Sequence, residues 1–310
     1  MRIAIFGSGG VGGYFGGLLA NAGHDVTFIA RGEHLKAIQE NGLYIKSING
    51  DFHIKPAQAS DDPTEVGHVD YVVVGVKHYH LDEAVNQIVP LVSGDTTVVP
   101  LLNGVDAHDI LKQKIGPQTI VGGLCSLVSM VQSPGVIFQP SKLRRVVVGE
   151  LNRTKSERVE KIVQAWAECG AEAIHADDIF VSMWTKFLFI ASFGGITSLA
   201  QVNAGELLAF DETRQLYVEA MQEVKALADV QGISLKQDAV ESALNLTRSF
   251  EPTATSSMQR DVAAGNLFEL EAFSGKIGQL GEALGVNTPV HSTIYALLLP
   301  FLARAQAASS

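Results

Sequence analysis

The chain has almost no cysteine: Cys125 and Cys169 are the only two in 310 residues, and no metal-ligand spacing links them. That scarcity excludes a small disulfide-framed domain and leaves a reduced, cytoplasmic protein as the simplest expectation. Charge is also sparse at 18%, and its balance is acidic, with a net charge of −10. Nucleic-acid-binding domains usually carry a basic face, so no nucleic-acid partner is expected, although a local basic pocket for a small anion remains open. The first apolar run turns into glycine at once, so no signal peptide is expected. Nine histidines are scattered along the chain, and the closest pair, His78 and His80, has no third ligand nearby, so no metal site is expected.

Long hydrophobic runs are nearly absent too. The window 180–200 approaches the length of a membrane span, but Lys186 sits within it, Gly194-Gly195 interrupts it, and no basic flank marks an orientation. A buried helix is the expectation, and no membrane association. Internal repeats and low-complexity tracts are also missing. What remains is a chain that is 46% hydrophobic and long enough for two domains with cores of their own.

The strongest positive signal stands at the N-terminus. An apolar run over 3–6 enters Gly7-Ser8-Gly9-Gly10-Val11-Gly12, followed by the small-residue segment 13–22, which reads as a closely packed helix. In a dinucleotide fingerprint the first glycine makes the tight turn, the second lets the backbone approach a pyrophosphate, and the third lets helix and strand pack. The helix N-terminus then favours the phosphate charge. A second run, 26–30, ends at Arg31. A carboxylate there would suit the ribose hydroxyls of NAD, whereas an arginine suits the 2′-phosphate of NADP, so NADPH is expected over NADH. Glu33 follows closely and leaves a solvated Arg31 as the alternative.

Up to about residue 176, β-branched runs alternate with amphipathic segments, as expected of helices covering a mostly parallel sheet. Strands are expected at 2–6, 25–30, 71–76, 96–101, 120–126 and 146–149, with helices at 35–41, 81–91 and 107–114. A helix at 156–168 and a strand at 173–175 follow. Beyond this point strand signals nearly vanish, and helices are expected at 179–192, 214–231, 236–248, 256–264, 269–284 and 288–305. The expected architecture is an α/β Rossmann-type doubly wound sheet over 1–176, followed by an all-α domain over 177–310. Its apolar faces, including 294–302, serve either a homodimer or the domain's own core.

Open sheets of this kind bind ligands beyond the carboxyl ends of their strands. The run 71–76 ends at Lys77, and the run 97–102 ends at Asn103-Gly104. Either residue suits a nicotinamide, its ribose or a substrate anion; either also occurs in ordinary loops. Lys186 lies among Trp184, Phe187, Leu188 and Phe189, where an ammonium group is expensive to bury but useful as an acid. Snorkelling to water is the alternative. Of Glu269 and Glu271, two apart on an expected helix, at most one should face inward, and the residues alone leave them tied. The hydroxyl-rich stretch 253–257 precedes a helix start and suits either a capping cluster or a substrate carboxylate.

Taken in order, the Gly7 to Gly12 loop, Arg31, Lys77, Leu102-Asn103-Gly104, Trp184-Thr185-Lys186-Phe187, Ser256-Ser257-Met258-Gln259-Arg260-Asp261 and Glu269 resemble the ketopantoate reductases, also called 2-dehydropantoate 2-reductases. The resemblance spans nearly the whole chain. It implies a Rossmann domain and a helical domain with the site in the cleft between them. It also implies a small 2-oxo acid substrate, Lys186 as the general acid at the keto oxygen, and Asn103 positioning substrate and cofactor. Lys77 and Arg31 would serve NADPH, Ser257 would hold the substrate carboxylate, and Glu269 would close the site near cofactor and substrate hydroxyl.

The chain departs from that family's pattern on the catalytic helix. Asparagines are expected four and eight residues after the lysine, where Ile190 and Gly194 stand, and a third where Ala204 follows Asn203. Losing those amides removes hydrogen bonds to a substrate hydroxyl and makes the pocket more apolar. A paralogue acting on a less polar 2-oxo acid is therefore the alternative. A non-catalytic NADPH-binding regulator would share the first domain, but the lysine, asparagine and glutamate set argues against it.

Overall fold

The computed structural model describes residues 1–309, and the chain divides into two compact units, Met1–Ser182 and Met183–Ser310. The division lies in the first turn of a helix that begins at Ile179, a few residues beyond the boundary expected at 176.

The first unit runs β1 (Arg2–Phe6), α1 (Gly10–Asn21), β2 (Asp25–Ile29), α2 (Gly32–Asn41), β3 (Leu43–Ser47), β4 (Phe52–Ile54), β5 (Gln58–Ser60), α3 (Pro63–Val66), β6 (Tyr71–Val74), α4 (Leu81–Ile88), β7 (Thr97–Pro100) and α5 (Ala107–Lys112). It continues with β8 (Gly122–Leu127), β9 (Met130–Ser133), β10 (Val136–Gln139), β11 (Arg144–Gly149), α6 (Glu157–Glu168) and β12 (Glu172–His175). Five strands form one sheet in the order β5-β2-β1-β6-β7, and every pair in it is parallel. Chain direction away from β1 reverses between β2 and β6, which makes the tip of β1 the switch point of a doubly wound sheet.

Both faces of this sheet are covered, which is why its central strands read as continuous apolar runs. Alternation along β1 sends Ile3 and Ile5 into one core cluster with Phe15 and Trp166, and Ala4 and Phe6 into another with Leu81, Val85 and Leu111. The Trp166 indole donates to the Phe15 carbonyl at 3.2 Å, which locks α6 onto α1.

The strands expected at 120–126 and 146–149 touch this sheet only at one isolated parallel bridge, Ile120 to Val98 of β7. As β8 and β11 they pair antiparallel, with β12 parallel to β11, in a three-stranded sheet of their own. A mixed four-stranded sheet, β4-β3-β10-β9, was not legible because its strands are short and partly exposed.

The second unit is helical. It follows α7 (Ile179–Ala200) with α8 (Ala204–Ala209), α9 (Asp211–Val230), α10 (Ala239–Arg248), α11 (Ser257–Ala263), a π-helical turn Glu271–Gly275, α12 (Lys276–Leu284) and α13 (Pro289–Ser309). Among the described residues, α7 is the one helix long and apolar enough to cross a membrane, but 61% of its apolar window is buried inside the fold. It is a core helix. Residues Ala191 to Ser198 are buried without a break, so α7 continues eight residues past the expected end at 192. Glu223 of α9 caps α13, accepting the backbone N–H of Val290 at 2.7 Å and of His291 at 3.0 Å.

Candidate active site

The glycine loop is shaped by contacts that only glycine permits. Gly7 has φ of +93°, and a Cβ there would stand 2.7 Å from Val76 Cγ1. A Cβ on Gly12 would run into the Gly7 carbonyl oxygen. Gly9 differs: no atom lies within 4 Å of its Cβ position, so this residue opens to free space. Helix α1 begins at Gly10, three residues before the expected start, and its first internal bond is Gly13 N–H to Gly9 O at 2.7 Å. The N–H groups of Gly10, Val11 and Gly12 precede that bond and stand at the positive end of the helix, whose first turn has no acidic residue.

Ser8 is turned inward. Its side chain is buried and donates to the Ile29 carbonyl at 3.1 Å, which fastens the loop to the end of β2. The Ser8 carbonyl accepts from His34 Nε2 at 2.9 Å, while His34 Nδ1 accepts the Gly135 N–H at 3.1 Å. These bonds require neutral imidazole, and burial depresses the pKa of His34. Sequence reading passed over His34, which stands in the first turn of α2, three residues after the N-cap Arg31.

Beside the loop lies a cavity of about 260 Å³ whose wall includes Gly7, Gly9, Arg31, His34, His80 and Glu83. Arg31 Nη2 donates to Glu83 Oε1 and to Gln87 Oε1, each at 2.9 Å. Hydrogen bonding from Arg31 holds the Glu83 carboxyl below the usual range. Glu33 is exposed and does not line the cavity.

Lys77 and Asn103, both half-buried, follow β6 and β7. The glycine loop, Arg31, Lys77 and Asn103 therefore occupy the carboxyl ends of four parallel strands in one sheet. Lys77 leads into a 3-10 turn, His78–His80, and His78 Nε2 donates to Asp106 Oδ1 at 2.8 Å, bridging the segments beyond β6 and β7.

The remaining expected residues lie in the helical unit. Lys186 is half-buried on α7, between buried Trp184 and Phe187. Ser256 is the N-cap of α11: its Oγ accepts the Gln259 N–H at 3.0 Å and pairs with Thr197 Oγ1 of α7 at 3.0 Å. Ser257, one residue on, is exposed. Glu269 is only 6% exposed, whereas Glu271 is exposed and accepts the Tyr295 hydroxyl at 2.8 Å. The reason differs from the expected helical geometry, because Glu269 precedes the π-helical turn and lies outside any helix. Phe187 and Phe273 meet edge to face at 6.3 Å, so α7 packs on that turn. Gly194 is buried, and a Cβ there would rest 3.6 Å from Phe273 and 3.8 Å from Met258. Among the described residues no group of three or more His, Cys, Asp or Glu is arranged to hold a metal ion.

A glycine loop at the switch point of a parallel sheet, with basic and amide residues at the neighbouring strand tips and a helical unit following in the chain, defines a protein of the doubly wound α/β class to which dinucleotide-binding enzymes belong. The family model described as Ketopantoate reductase PanE/ApbA matches residues 3–153, and its C-terminal counterpart matches 178–301. The chain belongs to the ketopantoate reductase family. A 2-dehydropantoate 2-reductase of Mesorhizobium japonicum is 31% identical, covering 96% of this chain and 97% of its own. An uncharacterized oxidoreductase of Bacillus subtilis, YkpB, is 30% identical over 96% and 98%. Among solved structures, a 2-dehydropantoate 2-reductase from Geobacter metallireducens superposes with a TM-score of 0.91 at 30% identity, covering 97% of this chain and 99% of its own. A D-mandelate dehydrogenase in complex with NADH gives 0.86 at 25% identity, over 97% and 98%.

Proposed function

We propose that this protein uses NADPH to reduce the keto group of a 2-oxo acid in the cytoplasm. The leading substrate is 2-dehydropantoate, reduced to pantoate for pantothenate biosynthesis. The observation that carries the reading is the common address of the glycine loop, Arg31, Lys77 and Asn103 at the carboxyl ends of β1, β2, β6 and β7. Relatives named 2-dehydropantoate 2-reductase support the substrate.

The first unit fits such a cofactor. The open side of Gly9 and the first N–H groups of α1 suit a pyrophosphate, and Arg31 beside them suits a 2′-phosphate. Lys77 and Asn103 serve the nicotinamide side. When bound, the nicotinamide supplies a hydride to the carbonyl carbon. Lys186 then stabilises the charge growing on the carbonyl oxygen and donates a proton to it. Asn103 orients that carbonyl, Ser257 holds the carboxylate, and Glu269 closes the site near the cofactor and the substrate hydroxyl.

A second reading has its own observation: Ile190 stands where the family's pattern has an amide, and Gly194 faces Phe273 and Met258. Such surroundings favour a less polar 2-oxo acid, and the likeness to a D-mandelate dehydrogenase points the same way.

Steady-state NADPH oxidation with 2-dehydropantoate beside a panel of apolar 2-oxo acids separates the two. A higher kcat/KM for 2-dehydropantoate supports the first reading and a lower one the second. No turnover on any acid, with NADPH still bound, would favour a non-catalytic regulator. Under either enzymatic reading Lys186→Ala loses ~10²–10⁴-fold in turnover and still binds NADPH.

A further inference from the structure

The cavity beside the glycine loop carries both kinds of group that discriminate between dinucleotides. Arg31, at the end of β2, is suited to a phosphate. Glu83, on α4, supplies the carboxylate that suits ribose hydroxyls. In dinucleotide folds that carboxylate ordinarily stands at the end of the second strand; here it arrives from the helix after β6. Glu83 Oε1 takes both available donors, Arg31 Nη2 at 2.9 Å and Gln87 Nε2 at 3.1 Å, while Oε2 has no hydrogen bond among the described residues. Both members of the ion pair are more than half exposed. An exposed pair of this kind is weak, so a competing phosphate separates it readily.

We propose that Glu83 is a cofactor-specificity residue and that the cavity accepts both NADPH and NADH, the proposal resting on the dinucleotide reading above. With a phosphate-bearing ribose, Arg31 leaves Glu83 for the 2′-phosphate, and the nearby carboxylate opposes the added negative charge. With an unphosphorylated ribose, Glu83 accepts from the 2′-hydroxyl, and Arg31 stays paired with the Glu83 carboxylate and hydrogen-bonded to the Gln87 amide oxygen. Glu83 therefore lowers the preference for NADPH that Arg31 alone would impose.

The test is equilibrium binding to the full-length protein, without turnover. NADPH and NADH are titrated by nicotinamide fluorescence, and adenosine 2′,5′-bisphosphate and AMP by calorimetry, into the wild type, Glu83→Gln and Glu83→Ala. Circular dichroism confirms that each variant is folded. The wild type should bind both dinucleotides. Removing one negative charge close to a phosphate should raise the NADPH-to-NADH affinity ratio ~10-fold in Glu83→Gln. The bisphosphate-to-AMP ratio should move in the same direction, and Glu83→Ala should behave alike. Unchanged ratios in both variants, with both dinucleotides bound, would overturn the role of Glu83 and leave the cofactor reading standing. Failure of the wild type to bind either dinucleotide would overturn the cofactor reading and this proposal with it.

Discussion

His78 and Asp106 meet at 2.8 Å across the tips of β6 and β7, each side chain only 13% exposed. The bond ties the turn beginning at Lys77 to the segment that opens with Asn103. Neither residue is needed for the chemistry proposed above. Their geometry makes them positioning residues for two that are.

Asp106→Ala should therefore lose both stability and function. Losing the His78–Asp106 hydrogen bond costs ~1–3 kcal/mol, and a loosened Asn103 segment should lower turnover ~10-fold with a smaller change in NADPH affinity. Asp106→Asn keeps an acceptor oxygen and should recover most of the turnover. Equal losses in both variants, with KM for NADPH carrying the whole effect, would contradict the positioning role.

Gly9 and Gly12 offer a contrast within one loop. A methyl group on Gly9 meets nothing in the fold, so Gly9→Ala should cost about 1 kcal/mol or less as an N-cap change while weakening NADPH binding ~10-fold or more through obstruction of the pyrophosphate. Gly12→Ala strikes the Gly7 carbonyl and should lower the melting temperature as well as binding. Thermal melts and NADPH titrations on the two variants check the separation.

Stability should fall in mild acid because of His291. Burial pushes its pKa down to about 4 from 6.5, and its Nε2 donates to the Ala220 carbonyl while Nδ1 accepts the Ser274 hydroxyl. The unfolded chain binds a proton in this range and the native state does not, so stability present above about pH 6.5 is lost as pH falls toward 4. The total is about 3 kcal/mol. Glu223, whose pKa is raised by burial, works in the opposite sense: its contribution is full in acid and lost as pH rises through its native pKa. Urea midpoints between pH 7.5 and 5 should show a net decline in the wild type and a flatter profile in His291→Gln.

Gly194→Ala should stabilise the protein by ~0.5–1 kcal/mol, because a methyl group there makes ordinary contacts and alanine favours the helix. Gly195→Ala should gain less or lose, since its methyl group would stand 3.1 Å from Ile294 Cδ1 in a packed core. Chemical denaturation of the two variants decides.

The same glycine pair shows where local reading fails. It made α7 look finished near residue 192, yet the helix runs on to Ala200 because Gly194 and Gly195 are buried against Phe273 and Ile294. Tertiary packing there outweighs propensity. The small sheet with β3, β4, β9 and β10 was missed for a related reason: short, partly exposed strands carry little hydrophobic periodicity. Glu269 and Glu271 could not be ranked by helical spacing, since the segment enters its helix through a π turn that spacing does not reveal.

Sequence alone determined the apolar runs of β1, β2, β6 and β7, the glycine loop and the order of residues along the chain, because each is a local pattern of burial or backbone freedom. Tertiary structure decided which side chains meet. Arg31 finds Glu83 across 52 positions, and His78 finds Asp106 across 28. Those meetings follow from the order of strands in the parallel sheet, a non-local choice that no short window of residues encodes.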